Sequence, residues 1–272
     1  QTHLGNHLSM LWLTPQMDGL FLDSAAARRK FMDRLIYALI PAHVTHVNRY
    51  EKNMRERLAL LRADRQMERL SDPRWLLELE QQMSADAVAI AAARTQFAAR
   101  LQEAAALLKE LAPAFPHGLV DLDGMCEQAI LKHPAVDVED QLRHILQENR
   151  AQDCLAGRTH AGAHRCDFIV SYGAKGMPAA QSSTGEQKAL LVSIILAHAL
   201  MTRAEKGSAP LVLLDEVAAH LDASRRQQLF DILSASESQI WVTGTDAKYF
   251  TALKTSAAFY TVENNQEKKK KA

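Results

Sequence analysis

The stretch LVLLDEVAAHLD sets two adjacent acids, Asp215 and Glu216, directly behind four apolar residues. A run that is apolar throughout suits a strand buried on both faces of an α/β sheet, and ligands bind beyond the carboxyl ends of such strands. One carboxylate in that place can hold Mg²⁺ while its neighbour orients or activates a water, a division of labour suited to nucleotide hydrolysis. A strand running out into a polar loop would also end in acids. A second stretch, QSSTGEQKALLVSIILAHAL from Gln181 to Leu200, opens an apolar helix with small polar groups. Hydroxyls and acids cap the unpaired N–H groups of a first helical turn. The same N–H groups can be left for an anion such as phosphate. On these residues alone both readings stand.

The elements that must position these groups are legible in outline. Met10-Leu11-Trp12-Leu13 reads as a buried strand, broken at Pro15. DSAAARRKFMDRLIYALI starts a helix with Asp23 or Ser24 as N-cap. From Val44 to Leu61 the apolar pattern thins, with charged residues between. LSDPRW is a turn in which Asp72 can cap a new helix and Pro73 suits its first position. That helix carries Leu76, Leu79, Met83, Ala87, Ile90, Phe97, Leu101, Ala104, Leu108 and Leu111, a narrow seam interrupted only by Arg94. At 1.5 Å per residue, Pro73 to Leu111 predicts a rod of about 55–60 Å. Two such helices joined by a short turn must lie antiparallel, either as a projecting arm or as a helical lobe of an ordinary α domain. Beyond Arg158, CDFIVSYGAKGMP has hairpin chemistry at Gly173 and Gly176. APLVLLDE, QIWVTGTD and AFYTV (Ala258 to Val262) are strands, and DASRRQQLFDILSAS between the first two is a capped amphipathic helix. Strand, helix, strand is βαβ order.

Composition bounds the partners. The chain has 32 basic and 32 acidic residues, so overall charge announces neither nucleic acid nor membrane, although a local basic patch is compatible with it. Cys126, Cys154 and Cys166 form no C-x-x-C pair, which predicts neither a disulfide framework nor a zinc site and makes a reducing cytoplasm the expected compartment. No apolar stretch is long and uncharged enough to cross a bilayer, and no signal peptide is visible. The chain begins at Gln1 with a strand almost at once, so a fragment is expected. The lysine-rich end NNQEKKKKA is expected to be a solvated, frayed tail.

The motifs gain meaning from their order. S-x-G-E (Ser183 to Glu186) is followed by Asp215-Glu216, then by AHLD ending at Asp222, then by VTGTD closing the next strand. This succession resembles the signature motif, Walker B, D-loop and switch of the ABC-type ATPases of the SMC and RecF group. LTPQMDGLFLDSAAARRKFMDRL closely resembles a RecF-family segment, and RTHAGAHRCDF is similar to the family stretch T-x-x-G-P-H-R-x-D-F, with Ala163 where proline is usual. The resemblance runs from about Leu11 to Val262. The insertion is too short for SMC-type coiled coils and has no C-x-x-C at its tip. One departure matters: no G-x-x-x-x-G-K-[ST] occurs, so the phosphate-cradling loop is absent from these residues and is expected upstream.

The resemblance implies an α/β fold, the C-terminal part of an ABC/SMC-type ATPase head lobe with an inserted helical arm. It divides the chain into head-lobe residues 1–40, an arm over 41–150 and head lobe again over 151–272. It implies ATP and Mg²⁺ as cofactors of the intact protein, with the fragment alone inactive as an ATPase. Asp215 would sit by Mg²⁺ and Glu216 would position the attacking water. Ser183, Gly185 and Glu186 would meet the γ-phosphate of nucleotide bound by a second subunit, which implies an ATP-dependent homodimer. Asp222 would mark the D-loop and Thr245 the switch, its alignment with Thr243 being ambiguous. Gln16 is a Q-loop candidate, with an exposed loop glutamine as the equal alternative. Arg28, Arg29 and Lys30 are candidates for DNA backbone contact, with a solvated helix face or internal ion pairs as the alternative. His164 and Arg165 lie in a family-like motif without a derived role, a buried structural pair being the plain reading. The implied activity is ATP-dependent DNA binding with slow hydrolysis, helping recombinase loading at gapped DNA. Implied partners are double-stranded DNA, gapped junctions and mediators of the RecO/RecR type, without a membrane. Two alternatives are a transporter-type ATPase subunit, which predicts a compact helical insertion, and a structural DNA-binding module with vestigial motifs, against which the intact Asp215-Glu216 pair argues.

Overall fold

The computed structural model describes residues 8–67, 73–254, 256–263 and 266–270. Its strands are β1 (Met10–Leu13), β2 (Gly118–Asp123), β3 (Asp167–Tyr172), β4 (Met177–Pro178), β5 (Leu211–Leu214), β6 (Ile240–Val242), β7 (Phe259–Glu263) and β8 (Gln266–Lys270). Its α-helices are α1 (Ala25–Leu39), α2 (His43–Met67), α3 (Pro73–Leu111), α4 (Met125–Ile130), α5 (Ala135–Glu148), α6 (Arg150–Ala156), α7 (Thr184–Lys206) and α8 (Ala223–Ala235). The chain folds into two compact units, one of Leu22–Arg100 with Val120–Val170, the other of Leu8–Phe21, Leu101–Leu119 and the residues from Ser171 onward. These boundaries differ from those expected from the sequence, because α1 and the 151–170 segment join the helical unit. Their side chains explain it: Arg28 on α1 is paired with Asp167, and Asp33 on α1 with Arg94 of α3.

In the helical unit α1 starts at Ser24, whose hydroxyl accepts from the Ala27 N–H. Helices α2 and α3 run antiparallel, with Arg49 bonded to Asp86, Asn53 to Gln82 and Arg57 to Glu80. Asp72 lies outside the described residues, and α3 opens at Pro73. The seam on α3 is buried from Leu76 through Leu101 and at Leu108, then fades, with Leu111 exposed. Arg94 does not interrupt it. Its guanidinium is itself buried, bonded to both carboxylate oxygens of Asp33, to Glu127 and to the Ala163 carbonyl. Burial works against that charge, and the two carboxylates outweigh it. Arg57 is 0% exposed and donates to Glu80, Asp153 and the Leu146 carbonyl. The unit's apolar cluster includes Met83, Ala87, Ile90, Leu142 and Leu146.

In the second unit three parallel strands lie in the order β1-β5-β6. Leu13 pairs with Leu214 and Leu214 with Val242, so all three carboxyl ends fall at one edge. The central β5 buries Val212 and Leu214. Helix α7 is buried on nearly every side from Gln187 to Ala199, as a helix apolar all round must be. Gly207 ends it in the left-handed region, a conformation glycine takes without a Cβ clash. The lysine-rich end departs from expectation: Gln266–Lys270 pairs antiparallel with Phe259–Glu263. Strand pairing uses backbone groups, so a charged sequence can fill an edge. Among the described residues no helix is long and apolar enough to cross a membrane.

Candidate functional site

The parallel register places the residues following β1, β5 and β6 side by side. Asp215 N–H donates to the Leu13 carbonyl at 2.9 Å, and Thr243 N–H to the Leu214 carbonyl at 2.9 Å. The Thr243 hydroxyl donates to the Asp215 carboxylate and accepts from the Glu216 N–H at 3.3 Å. Thus Thr243 is bonded to the acids, while Thr245, the expected switch residue, is exposed two residues farther on. Glu216 has φ of 54°, and among the described non-glycine residues only Glu237 shares a positive value. That left-handed conformation costs an L-residue about 1–2 kcal/mol, so the surroundings must hold it.

What holds it, besides Thr243, is Lys188. Its ammonium donates to the Glu216 carbonyl at 3.2 Å and to Asp18 Oδ2 at 3.1 Å. Lys188 is 3% exposed, lies on α7 a little beyond the S-x-G-E motif, and fixes the turn after β1 on which Gln16 sits exposed. Sequence reading missed Lys188 and Asp18, and left Thr243 as the alternative to Thr245. A signal was present: Lys188 heads a helix with no polar face wide enough to place it in water.

At the N-terminus of α7 the capping reading describes the bonds formed. Ser183 Oγ accepts from Glu186 N–H at 3.4 Å, and the Glu186 carboxylate accepts from Ser183 N–H and Oγ at 3.1 Å each. Lys175, in the turn between β3 and β4, donates to the same carboxylate at 2.6 Å. The Lys175 bond, with help from the Ser183 N–H, holds the Glu186 carboxyl at about 2. Two details remain that capping does not use. The Ser182 hydroxyl is buried without a hydrogen-bond partner, and a Cβ added at Gly185 would meet nothing within 4 Å. Glycine is therefore not required there by packing within this chain, although it weakens the first turn.

The other expected residues are placed as follows. Asp222 caps α8, accepting from Arg225 N–H at 2.9 Å. Arg28 makes a two-point bond to Asp167, and Arg29 donates to the Cys166 carbonyl, so both are engaged internally, and Lys30 alone of the three is exposed. His164 joins Tyr50 and the Thr159 carbonyl, whereas Arg165 is exposed and forms no pair with it.

Beside Asp215 and Thr243 opens an apolar recess of about 470 Å³, walled by Met10, Trp12, Leu213 and Trp241. Asp215 is a hard oxygen donor with a hydroxyl bonded to it. Mg²⁺ commonly takes one or two carboxylates and completes its shell with phosphates and water, so this donor set fits Mg²⁺ arriving with a nucleotide.

No family model matches the chain. Two solved structures share its fold: the recombination mediator protein RecF with ATPrS, at a TM-score of 0.81 over 98% of this chain and 69% of that one, and RecF with ATP, at 0.77 over 97% and 69%. Their identities are 17% and 18%. The likeness shows an α/β fold with a helical insertion. The DNA replication and repair protein RecF of Rhizobium etli is 44% identical over 263 residues, 97% of this chain and 68% of its own length, and that of Brucella abortus 46% identical over 264 residues, 96% and 66%. The chain belongs to the RecF family.

Proposed function

We propose that the protein is an ATP-switched recombination mediator in DNA repair, which dimerises on ATP, binds double-stranded and gapped DNA in the cytoplasm, and works with mediators of the RecO/RecR type. The observation that carries this reading is the Asp215-Glu216 pair at the carboxyl edge of β5, with Glu216 held in the left-handed region, in a chain of the RecF family. Asp215 would hold Mg²⁺, which supplies neutralisation of phosphate charge when bound with ATP. Glu216 accepts the proton side of the attacking water and orients it. Ser183 and Gly185 face the γ-phosphate carried by a second copy. The open space at Gly185 supports an approach from outside the chain. The nucleotide's other phosphates need a phosphate-cradling loop that the 272 residues do not contain, so the complete site is proposed for the full-length protein.

The test uses that full-length protein with Mg-ATP and double-stranded DNA on a sizing column. Glu216→Gln keeps size and removes charge, and is expected to run as a trapped dimer. Ser183→Arg fills the space for the partner's phosphate, and is expected to run as a monomer that still binds ATP. Normal dimerisation and hydrolysis by Ser183→Arg would return the QSSTGEQK serines to simple helix caps.

A further inference from the structure

The reaction assigned to Glu216 requires its carboxylate to point at a water, yet its backbone sits in a conformation that a glutamate does not hold by itself. Two side chains hold the peptide groups on either side of that residue, Thr243 at its N–H and Lys188 at its carbonyl. Thr243 belongs to the same sheet edge. Lys188 does not: it comes from α7, the helix whose first turn carries Ser183. Its ammonium also reaches Asp18, at the end of the short turn that carries Gln16. Asp18 has one carboxylate oxygen taken by Lys188 and the other buried without a hydrogen-bond partner. Burying an ammonium and half of a carboxylate is unfavourable unless each finds partners. A lysine at this place is therefore not explained by packing, since leucine or methionine would fill the same space without that cost.

We infer that Lys188 is a positioning residue for hydrolysis, pinning the Glu216 carbonyl and the Gln16–Asp18 turn to the helix that carries the phosphate-sensing Ser183. This rests on the reading given above for Glu216 and Ser183. Because α7 is one continuous helix, a displacement at Ser183 on contact with the second subunit's nucleotide is carried to Lys188. It changes the distance from the ammonium to the Glu216 carbonyl, and so the direction of the carboxylate. Contact across the dimer would thereby set the water-orienting group of the same subunit. Lys188 itself touches neither nucleotide nor water in this scheme.

The experiment measures DNA-stimulated ATP hydrolysis and ATP-dependent dimerisation of the full-length protein. Lys188→Met is expected to lower kcat at least tenfold, with KM for ATP and the dimerisation midpoint within twofold of wild type. In a Glu216→Gln background, Lys188→Met should lower the residual single-turnover rate by less than twofold, since a residue acting through Glu216 has nothing left to orient. Asp18→Asn keeps the volume of the aspartate and weakens the same tether; it is expected to lower kcat about threefold, and it carries the test if Lys188→Met does not fold. Wild-type kcat in folded Lys188→Met or Asp18→Asn, beside an impaired Glu216→Gln, overturns the inference alone. Equal hydrolysis by wild type and Glu216→Gln overturns instead the assignment of Glu216.

Discussion

His164 offers a measurable link between a buried hydrogen-bond pattern and the pH dependence of stability. Its Nε2 lies 2.9 Å from the Thr159 carbonyl, an acceptor, so Nε2 carries the proton and Nδ1 accepts from the Tyr50 hydroxyl at 2.8 Å. This is the neutral imidazole. Burial pushes the His164 pKa down from 6.5 to about 4, against the raising effect of the Thr159 bond. Burial also raises the Tyr50 phenol, which therefore stays a donor. The sign follows from proton counting: between pH 6.5 and 4 the unfolded chain binds a proton that the folded chain refuses. Stability is thus highest above 6.5 and falls as pH drops toward 4. At pH 5 the loss is about 2 kcal/mol, and below pH 4 about 3 kcal/mol. The carboxyls held near 2, Asp33 and Glu186, contribute stability above their ordinary values of 3.8 and 4.5 and lose it as pH falls toward 2, below the pH 5 condition. Urea unfolding of the chain at pH 7 and pH 5 is the assay, with His164→Gln as the comparison. The wild type should lose about 2 kcal/mol between the two conditions, while the variant, weaker at pH 7, should lose under half as much. An identical pH dependence in both proteins would refute the reasoning.

Two further outcomes follow from the same bonds. Arg57→Ala should destabilise the chain by about 3–5 kcal/mol in urea, because it strips a partner from the buried carboxylates of Glu80 and Asp153. Ser183→Ala should cost only about 1 kcal/mol through the lost cap, and Lys175→Ala should bring the Glu186 carboxyl back toward 4.5 in an NMR titration.

How far the residues disclosed the molecule depends on whether a feature is local. Strands β1, β5 and β6, the Ser24 and Asp222 caps and the full span of α3 follow from runs, periods and capping groups close together in sequence. The division into units was not legible, because it is drawn by ion pairs between distant segments, Arg28 with Asp167 and Arg94 with Asp33 and Glu127. A charged residue in a helical seam reads as an interruption until its partners, 61 residues back and 33 ahead, are known.

The same limit explains what was missed at the site. Asp215 and Glu216 are neighbours at the end of an apolar run, so the pair was visible; the φ of Glu216 was not, since nothing in LLDEV asks for a left-handed residue. A glycine there would relax the backbone but would bring no carboxylate. The chain instead keeps the acid and holds its peptide with a threonine 27 residues away and a lysine 28 residues away. Local preference is overruled at Glu216, and the groups that overrule it come from the end of the neighbouring strand and from the helix capped by Ser183. The departure from the local rule is therefore what ties the acid pair to the S-x-G-E motif. Lys188, two residues past that motif on the same helix, makes the bond that joins them.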